Sequence, residues 1–224
     1  MDSLSEELSQ EYRLRFSSIA SYRRKVWKIL VKQYFQKLVG FDKVILDLGC
    51  GWGEFINSIQ AEQKYAMDLN QEASQHLSPE VTFIHQDCSK YWQVTDSSLD
   101  VIFTSNFLEH LLTKEDLSRT VAEMYRCLKP SGKLICLGPN IKYVGGAYYD
   151  FFDHHLPLTE ASVAELLQLK GFTIEQCLPR FLPYTMANGK QPPLWCLYLY
   201  LYIPLAWKFI GKQFLVIGRK PSKI

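Results

Sequence analysis

A chain of 224 residues, 47% hydrophobic and 21% charged, has the length and composition of one globular domain with a sizeable core, which excludes a disordered or low-complexity protein. Twenty-five Lys and Arg against 23 Asp and Glu leave a formal charge of +2, too small a bias for an obligate nucleic-acid binder. The six cysteines are scattered, with no C-x-x-C pair and no histidine at metal-ligand spacing, so they read as small buried side chains in a reducing compartment, and no metal is expected.

Met1 to Gln10 are polar and acidic, which reads against a secretory signal and makes the cytoplasm the expected address. Residues 11–39 form the first helical region. Trp27, Leu30, Val31, Tyr34, Phe35 and Leu38 repeat at helical spacing as one apolar stripe, so residues 1–40 are expected to be a helical cap ahead of a main domain over 41–224. Arg13, Arg15, Arg23, Arg24, Lys25, Lys28, Lys32 and Lys37 accompany the stripe, against the single acid Glu11. We read these charges as the solvated face of a packed helix. The alternative is a basic cap over an active-site mouth, suited to a phosphorylated substrate or an anionic membrane surface.

The chain is organised around residues 43–57. Val44, Ile45, Leu46 and Leu48 make a nearly continuous apolar run, the pattern of a strand buried on both faces of a parallel sheet. Gly49, Gly51 and Gly53 break it, and backbone without Cβ atoms lets a ligand lie against the main chain. Phe55, Ile56 and Ile59 predict a helix over 54–60, whose N-terminal amides would favour an anionic group. A dinucleotide fingerprint G-x-G-x-x-G would need a third glycine at position 54, where Glu54 stands.

Strands and helices then alternate. Lys64 to Asp68 is a short strand ending in an acid placed to reach ribose hydroxyls, or to cap a helix over Gln71 to Leu77. Val81 to His85 is the next strand, followed by Asp87 and Cys88; Ser98 to Thr104 is the fourth, leaving through Ser105-Asn106-Phe107-Leu108-Glu109-His110. Thr113 caps a helix running to Leu128, Lys133 to Leu137 is the fifth strand, Thr159 caps a helix running to Lys170, and Phe172 to Leu178 is the sixth strand. Gln213 to Gly218 closes the chain, expected antiparallel at the sheet edge beside the sixth. Together these predict a doubly wound, mostly parallel seven-stranded sheet with an antiparallel last strand. The aromatic insertion over 179–212 is too short and interrupted to span a membrane; it is expected to pack as core or cap, with a dimer surface or an interfacial foot as alternatives.

Asp47-x-Gly49-x-Gly51-x-Gly53, the acids at 68 and 87, and the strand exit Asn106-x-x-Glu109-His110-Leu111 resemble class I S-adenosylmethionine-dependent methyltransferases of the small-molecule type. The resemblance covers residues 42–178 and the final strand. It implies a Rossmann-like methyltransferase fold with S-adenosylmethionine as cofactor and S-adenosylhomocysteine as product. Asp47, Gly49, Gly51, Gly53, Asp68 and Asn106 would then hold the cofactor, Asp87 would accept from the adenine amino group, and the Cys88 amide would meet the ring.

Methyl transfer to a hydroxyl needs alignment and a base, and histidine suits that task near neutral pH. The stretch Tyr148 to His155 follows the fifth strand, so His154 or His155 is the expected base, oriented by Asp153 or Asp150, with Tyr148, Tyr149 and Phe152 as acceptor wall. His85 and His110 are read as structural. No Pro-Pro-aromatic follows Asn106 and no cysteine stands as a nucleophile, which favours oxygen or a simple amine on a small or tethered molecule: a saccharide, sugar conjugate or secondary metabolite. The alternatives are a protein or RNA methyltransferase and a catalytically silent subunit that binds a partner, or a second copy, through the insertion.

Overall fold

The computed structural model describes residues 2–184 and 191–222; residues 185–190, part of the expected insertion, lie outside it. Seven strands form one sheet: β1 (Val44–Leu48), β2 (Gln63–Asp68), β3 (Val81–His85), β4 (Leu99–Ser105), β5 (Leu128–Pro139), β6 (Thr173–Leu178) and β7 (Gln213–Arg219). Their order is β3-β2-β1-β4-β5-β7-β6, with β7 antiparallel to both neighbours and the first five strands parallel. The order reverses at β1 and β4, so their carboxyl ends open a crevice where ligands bind in open α/β sheets.

The last strand is not at the edge, as the sequence reading placed it; β7 is inserted between β5 and β6. Its run from Phe214 to Ile217 is buried on both faces, whereas β6 alternates exposed and half-buried residues, the pattern of an edge. The helix expected over 54–60 is also absent. Those residues form successive turns, because Ser58 donates its hydroxyl to the Glu54 carbonyl and Asn57 ties its side chain to the His76 carbonyl and the Ser78 amide. Phe55, Ile56 and Ile59 are buried all the same.

Successive residues of the central strands feed opposite faces, as the pleat requires. On one face Ile45, Val101, Phe103, Ile135, Leu137, Leu215 and Ile217 meet helices α2 (Ala20–Leu30) and α3 (Gln36–Val39) and the turn between them, through Val26, Trp27, Leu30, Phe35 and Val39; α1 (Asp2–Phe16) precedes them in the chain. On the other, Leu46, Ile102, Leu134, Cys136, Phe214 and Val216 meet helices α4 (Lys114–Cys127) and α6 (Glu160–Leu169). A short helix α5 (Ile141–Val144) follows β5. Thr113 accepts from the Asp116 amide at the start of α4, and Thr159 forms a capping box with Ser162 at the start of α6.

Between α2 and α3 the backbone widens to a π-turn at Val31–Phe35, and Phe35 is fully buried against Trp27, Phe55, Phe103 and Phe181. Truncation of such an aromatic costs roughly 3–5 kcal/mol. The second part of the insertion forms helices α7 (Leu194–Tyr202) and α8 (Pro204–Ile210), and α7 packs beside α2.

Candidate active site

At the exit of β1 the chain turns left-handed at Gly49 and Gly51, with φ of 67° and 51°. A Cβ on Gly49 would lie 2.2 Å from the Phe107 ring, and one on Gly51 would lie 2.2 Å from the Tyr12 hydroxyl. Only glycine fits both the angles and the space. Asp68, at the end of β2, accepts the amides of Gly51 and Asn70, each at 2.9 Å, so it bridges two loop ends. Burial raises its pKa in spite of those amides. It does not cap a helix: Asn70 does, accepting from the Glu72 amide ahead of a 3-10 turn over Gln71–His76.

A cavity of about 1210 Å³ opens from this loop. Gly49, Gly51, Asp68, Asn70, Asp87, Cys88 and Asn106 line its cofactor end, so of the residues expected there Asp47 and Gly53 stand behind the surface. Asp47 is buried beneath the loop; burial, then the charges of Asp68 and Glu54, hold its carboxyl well above the usual range. Asp87 accepts the Ser89 amide, and Asn106 has left-handed φ of 49°.

The N-terminal cap contributes to this site. Leu8, Tyr12, Arg15, Phe16, Arg23 and Trp27 all line the cavity. Arg23 is buried, its guanidinium 3.7 Å from the Phe16 ring centroid and donating from Nη2 to the Tyr12 hydroxyl. Its Nε lies 3.1 Å from Glu54 Oε1, and neither Nε nor Nη1 makes a hydrogen bond. The same recess is lined by Asp47, Gly49 and Cys50. Arg24, Lys25, Lys28 and Lys32 face outward, so the basic stripe is divided between site and surface.

At the far end, loops after β4 and β5 meet. Arg15 holds Asp153 with two bonds of 2.8 and 2.6 Å, and Asp153 Oδ2, one of the two oxygens so held, lies 2.9 Å from His110 Nδ1. Burial lowers the His110 pKa, but the hydrogen bond it donates to Asp153 and the charges of Glu109 and Asp153 outweigh it and leave it raised. Burial acts to raise Asp153, yet His110 and Arg15 together hold it far below the usual carboxylate range. Glu109 is 1% exposed with Oε1 unpartnered, and burial pushes its carboxyl up to about 7.

His154 stacks edge-on to His110 at 4.9 Å, and its Nδ1 is buried without a partner. Burial, followed by the charge on His110, lowers it to about 4. His155 is exposed at the cavity rim, with its amide bonded to the Glu109 carbonyl. Glu109, His110 and His154 each offer a ligand atom within 4.8 Å of the others, the residues here that could hold a cation.

The expected acceptor wall divides. Phe152 lines the cavity beside Phe151, whereas Tyr148 is fully buried, its hydroxyl bonded to the Leu156 carbonyl, and Tyr149 is exposed away from the lining. The sequence reading did not pick out Glu109, Tyr184, Arg15 or Arg23 as site residues and set His110 aside. The unpartnered hydroxyl of Tyr184 sits in the cavity wall near Glu109. A third arm of the cavity is apolar, lined by Val26, Leu30, Leu182, Leu197, Tyr200 and Ile210.

Residues 46–136 match the family model of a methyltransferase domain. Phosphoethanolamine N-methyltransferase 1 of Triticum aestivum is 28% identical over 102 residues, covering 41% of this chain and 20% of that protein, so the match spans about a fifth of the relative's length. Among solved structures, a chain of the Haloferax volcanii complex containing the Trm112 methyltransferase activator superposes with a TM-score of 0.69 at 14% identity, over 94% of this chain and 96% of its own. An S-adenosylmethionine-dependent methyltransferase of Archaeoglobus fulgidus gives 0.64 at 20% identity, over 88% and 94%. The glycine loop between β1 and β2, the sheet order and the match over residues 46–136 agree on a methyltransferase domain with a Rossmann-like fold, for which S-adenosylmethionine is the expected cofactor.

Proposed function

We propose that this protein transfers a methyl group from S-adenosylmethionine to a hydroxyl oxygen of a small or tethered acceptor: a saccharide, a sugar conjugate or a related secondary metabolite. One observation carries the reading. A His110–Asp153 pair, anchored by Arg15, opens into the same cavity as the glycine loop.

The loop fits the cofactor. Gly49 and Gly51 line the cavity with the Phe107 ring and the Tyr12 hydroxyl packed against them where a Cβ would stand, and the orphaned Arg23 Nη1 lies in the adjoining recess, suited to a carboxylate. Asp68 would take the ribose, Asp87 and the Cys88 amide the adenine, and Arg23 the amino-acid carboxylate; Asp47 and Gly53 shape the loop from behind. When bound, the cofactor supplies a methyl carbon already activated by its sulfonium.

The chain supplies alignment and a proton acceptor. His110 Nδ1–H donates to Asp153, which leaves Nε2 to accept the hydroxyl proton, and Asp153 stabilises the imidazolium that forms. Asp153 is too strongly held by Arg15 to serve as the base itself. His154, neutral near pH 7, is placed to orient the acceptor through Nδ1, with Tyr184 opposite and Phe152 at the rim. The apolar arm favours an acceptor with an apolar portion, hence a conjugate over a free sugar.

The test is incubation with methyl-labelled cofactor and cell extract, separated into aqueous, lipid and macromolecular fractions, followed by mass analysis. The expected result is a labelled methyl ether that disappears with His110→Ala. Label on nitrogen, on protein or on RNA, or cofactor binding without transfer to any fraction, overturns it.

A further inference from the structure

Helices α7 and α8 carry an outward apolar face that the described residues leave uncovered. Trp195, Tyr198, Leu199 and Tyr202 recur at i, i+3, i+4 and i+7 along α7, and are 62, 38, 53 and 73% exposed. Ile203, Leu205, Phe209 and Ile210 continue the face along α8 with 48–73% of their surface exposed. Eight large apolar side chains within 16 residues exceed the scattered singletons of an ordinary surface, and such a patch marks an interaction site.

Two features choose the occupant. The first is length. The helices have nine and seven residues and are parted at Pro204, while a span needs about 20 residues; among the described residues no helix is long and apolar enough to cross a membrane. A face of this kind lies along an interface, and Trp and Tyr are the side chains that settle at headgroup depth.

The second is charge. No Asp or Glu occurs from residue 176 to the C-terminus, whereas Arg180, Lys208 and Lys212 do. The adjoining α2 adds the exposed Arg24, Lys25 and Lys28 and is tied to the insertion through the Tyr22 hydroxyl on the Pro192 carbonyl; the following π-turn adds the exposed Lys32 and is tied by the Tyr202 hydroxyl on Gln33. A self-complementary dimer would press this cationic rim against a copy of itself, while an anionic bilayer complements it.

We propose that the α7–α8 face seats this protein on the surface of an anionic lipid bilayer. Trp195, Leu199, Leu205 and Phe209 enter the headgroup and acyl boundary, and the surrounding lysines and arginines meet lipid phosphates. The apolar arm of the cavity, lined by Leu197, Tyr200 and Ile210 of the same two helices, then ends beside the bilayer. This docking is independent of the proposed methyl transfer.

The test is co-sedimentation of the full chain with phosphatidylcholine vesicles, with and without phosphatidylglycerol, at low and high salt. The chain is expected to pellet with the anionic vesicles, less with neutral ones, and less at high salt. Leu199→Glu with Phe209→Glu, both outside the cavity lining, is expected to weaken vesicle binding on the order of 100-fold. Calorimetric binding of S-adenosylmethionine, unchanged in that variant, reports that it folds. The proposal is overturned if the chain stays in the supernatant with anionic vesicles or if the folded variant binds as the parent does. It is also overturned if sedimentation velocity shows a dimer that these substitutions dissolve, which would make the face a contact between copies.

Discussion

His110 lines the cavity with Nδ1 committed to Asp153 and Nε2 4.0 Å from Glu109 Oε1, so in the proposed reaction its removal takes away the proton acceptor without touching the glycine loop. His110→Ala is expected to lower kcat by roughly 10²–10⁴-fold with cofactor affinity within about twofold of the parent, read by calorimetry and initial rates. Because the acceptor must be neutral, and the pKa of His110 is raised above 6.5, kcat should rise with pH through the neutral range; Asp153→Asn should move that limb to lower pH. Glu109 makes a separate prediction. Its folded pKa of about 7 lies above the ordinary carboxyl value of 4.5, so the folded state holds a proton the unfolded state releases, and stability falls as pH rises through that window. Glu109→Gln should therefore melt higher than the parent at pH 8.5, by an amount on the order of 1–3 kcal/mol, and the gap should close towards pH 5. An unchanged gap across that range would refute the assignment. Glu109 and His110 stood in the strand-exit motif that was legible in the sequence, but their partners did not. Arg15 lies 138 residues from Asp153 and Asp153 lies 43 from His110, separations at which side-chain pairing has no local signature.

The helix α1 is held to the body by polar ties at both ends of the cavity. Ser9 donates to Asn70 at 2.7 Å, Arg13 pairs with Glu72 at 2.5 Å, and Arg15 pairs with Asp153. Exposed pairs such as Arg13–Glu72 contribute only about 0.2–1 kcal/mol, so α1 is the element that opens at least cost. Tyr12 rests directly over Gly51, which makes α1 a cover for the cofactor end. Trypsin cleavage after Arg13 and Arg15 is thus expected to slow in the presence of S-adenosylmethionine and to quicken in Arg15→Ala; cleavage indifferent to the cofactor would show that α1 does not close the site. The elements themselves were readable where burial is two-sided or capping is explicit: β1, β4, α4 and α6 follow from apolar runs and from Thr113 and Thr159. The helix expected at 54–60 failed because Asn57 and Ser58 spend their side chains on neighbouring backbone, a competition that apolar spacing does not report. The place of β7 follows from its unbroken apolar run Phe214 to Ile217 beside the alternating β6, since two-sided burial outweighs chain order in setting a strand's position.

Both apolar layers share the central strands, so the sheet cannot lose one layer without exposing the other, and the molecule should melt as a single unit. A ligand gripped at the switch between β1 and β4 then stabilises the whole of it by mass action. At a hundredfold excess over Kd the gain is about 2.7 kcal/mol, which for a chain of this size corresponds to roughly 5–10 °C in Tm. S-adenosylmethionine should produce that shift in calorimetric scans. Arg23→Met, which removes the orphaned donors beside Asp47 while keeping an apolar stem against Phe16, should abolish most of it at equal cofactor concentration. Leu199→Glu with Phe209→Glu, on the far apolar face, should leave it intact, because neither side chain reaches the cavity. A shift that survives Arg23→Met would mean that the amino-acid end of the cofactor is held elsewhere, and the recess formed by Tyr12, Arg23 and Asp47 would then be a packing feature of the cap.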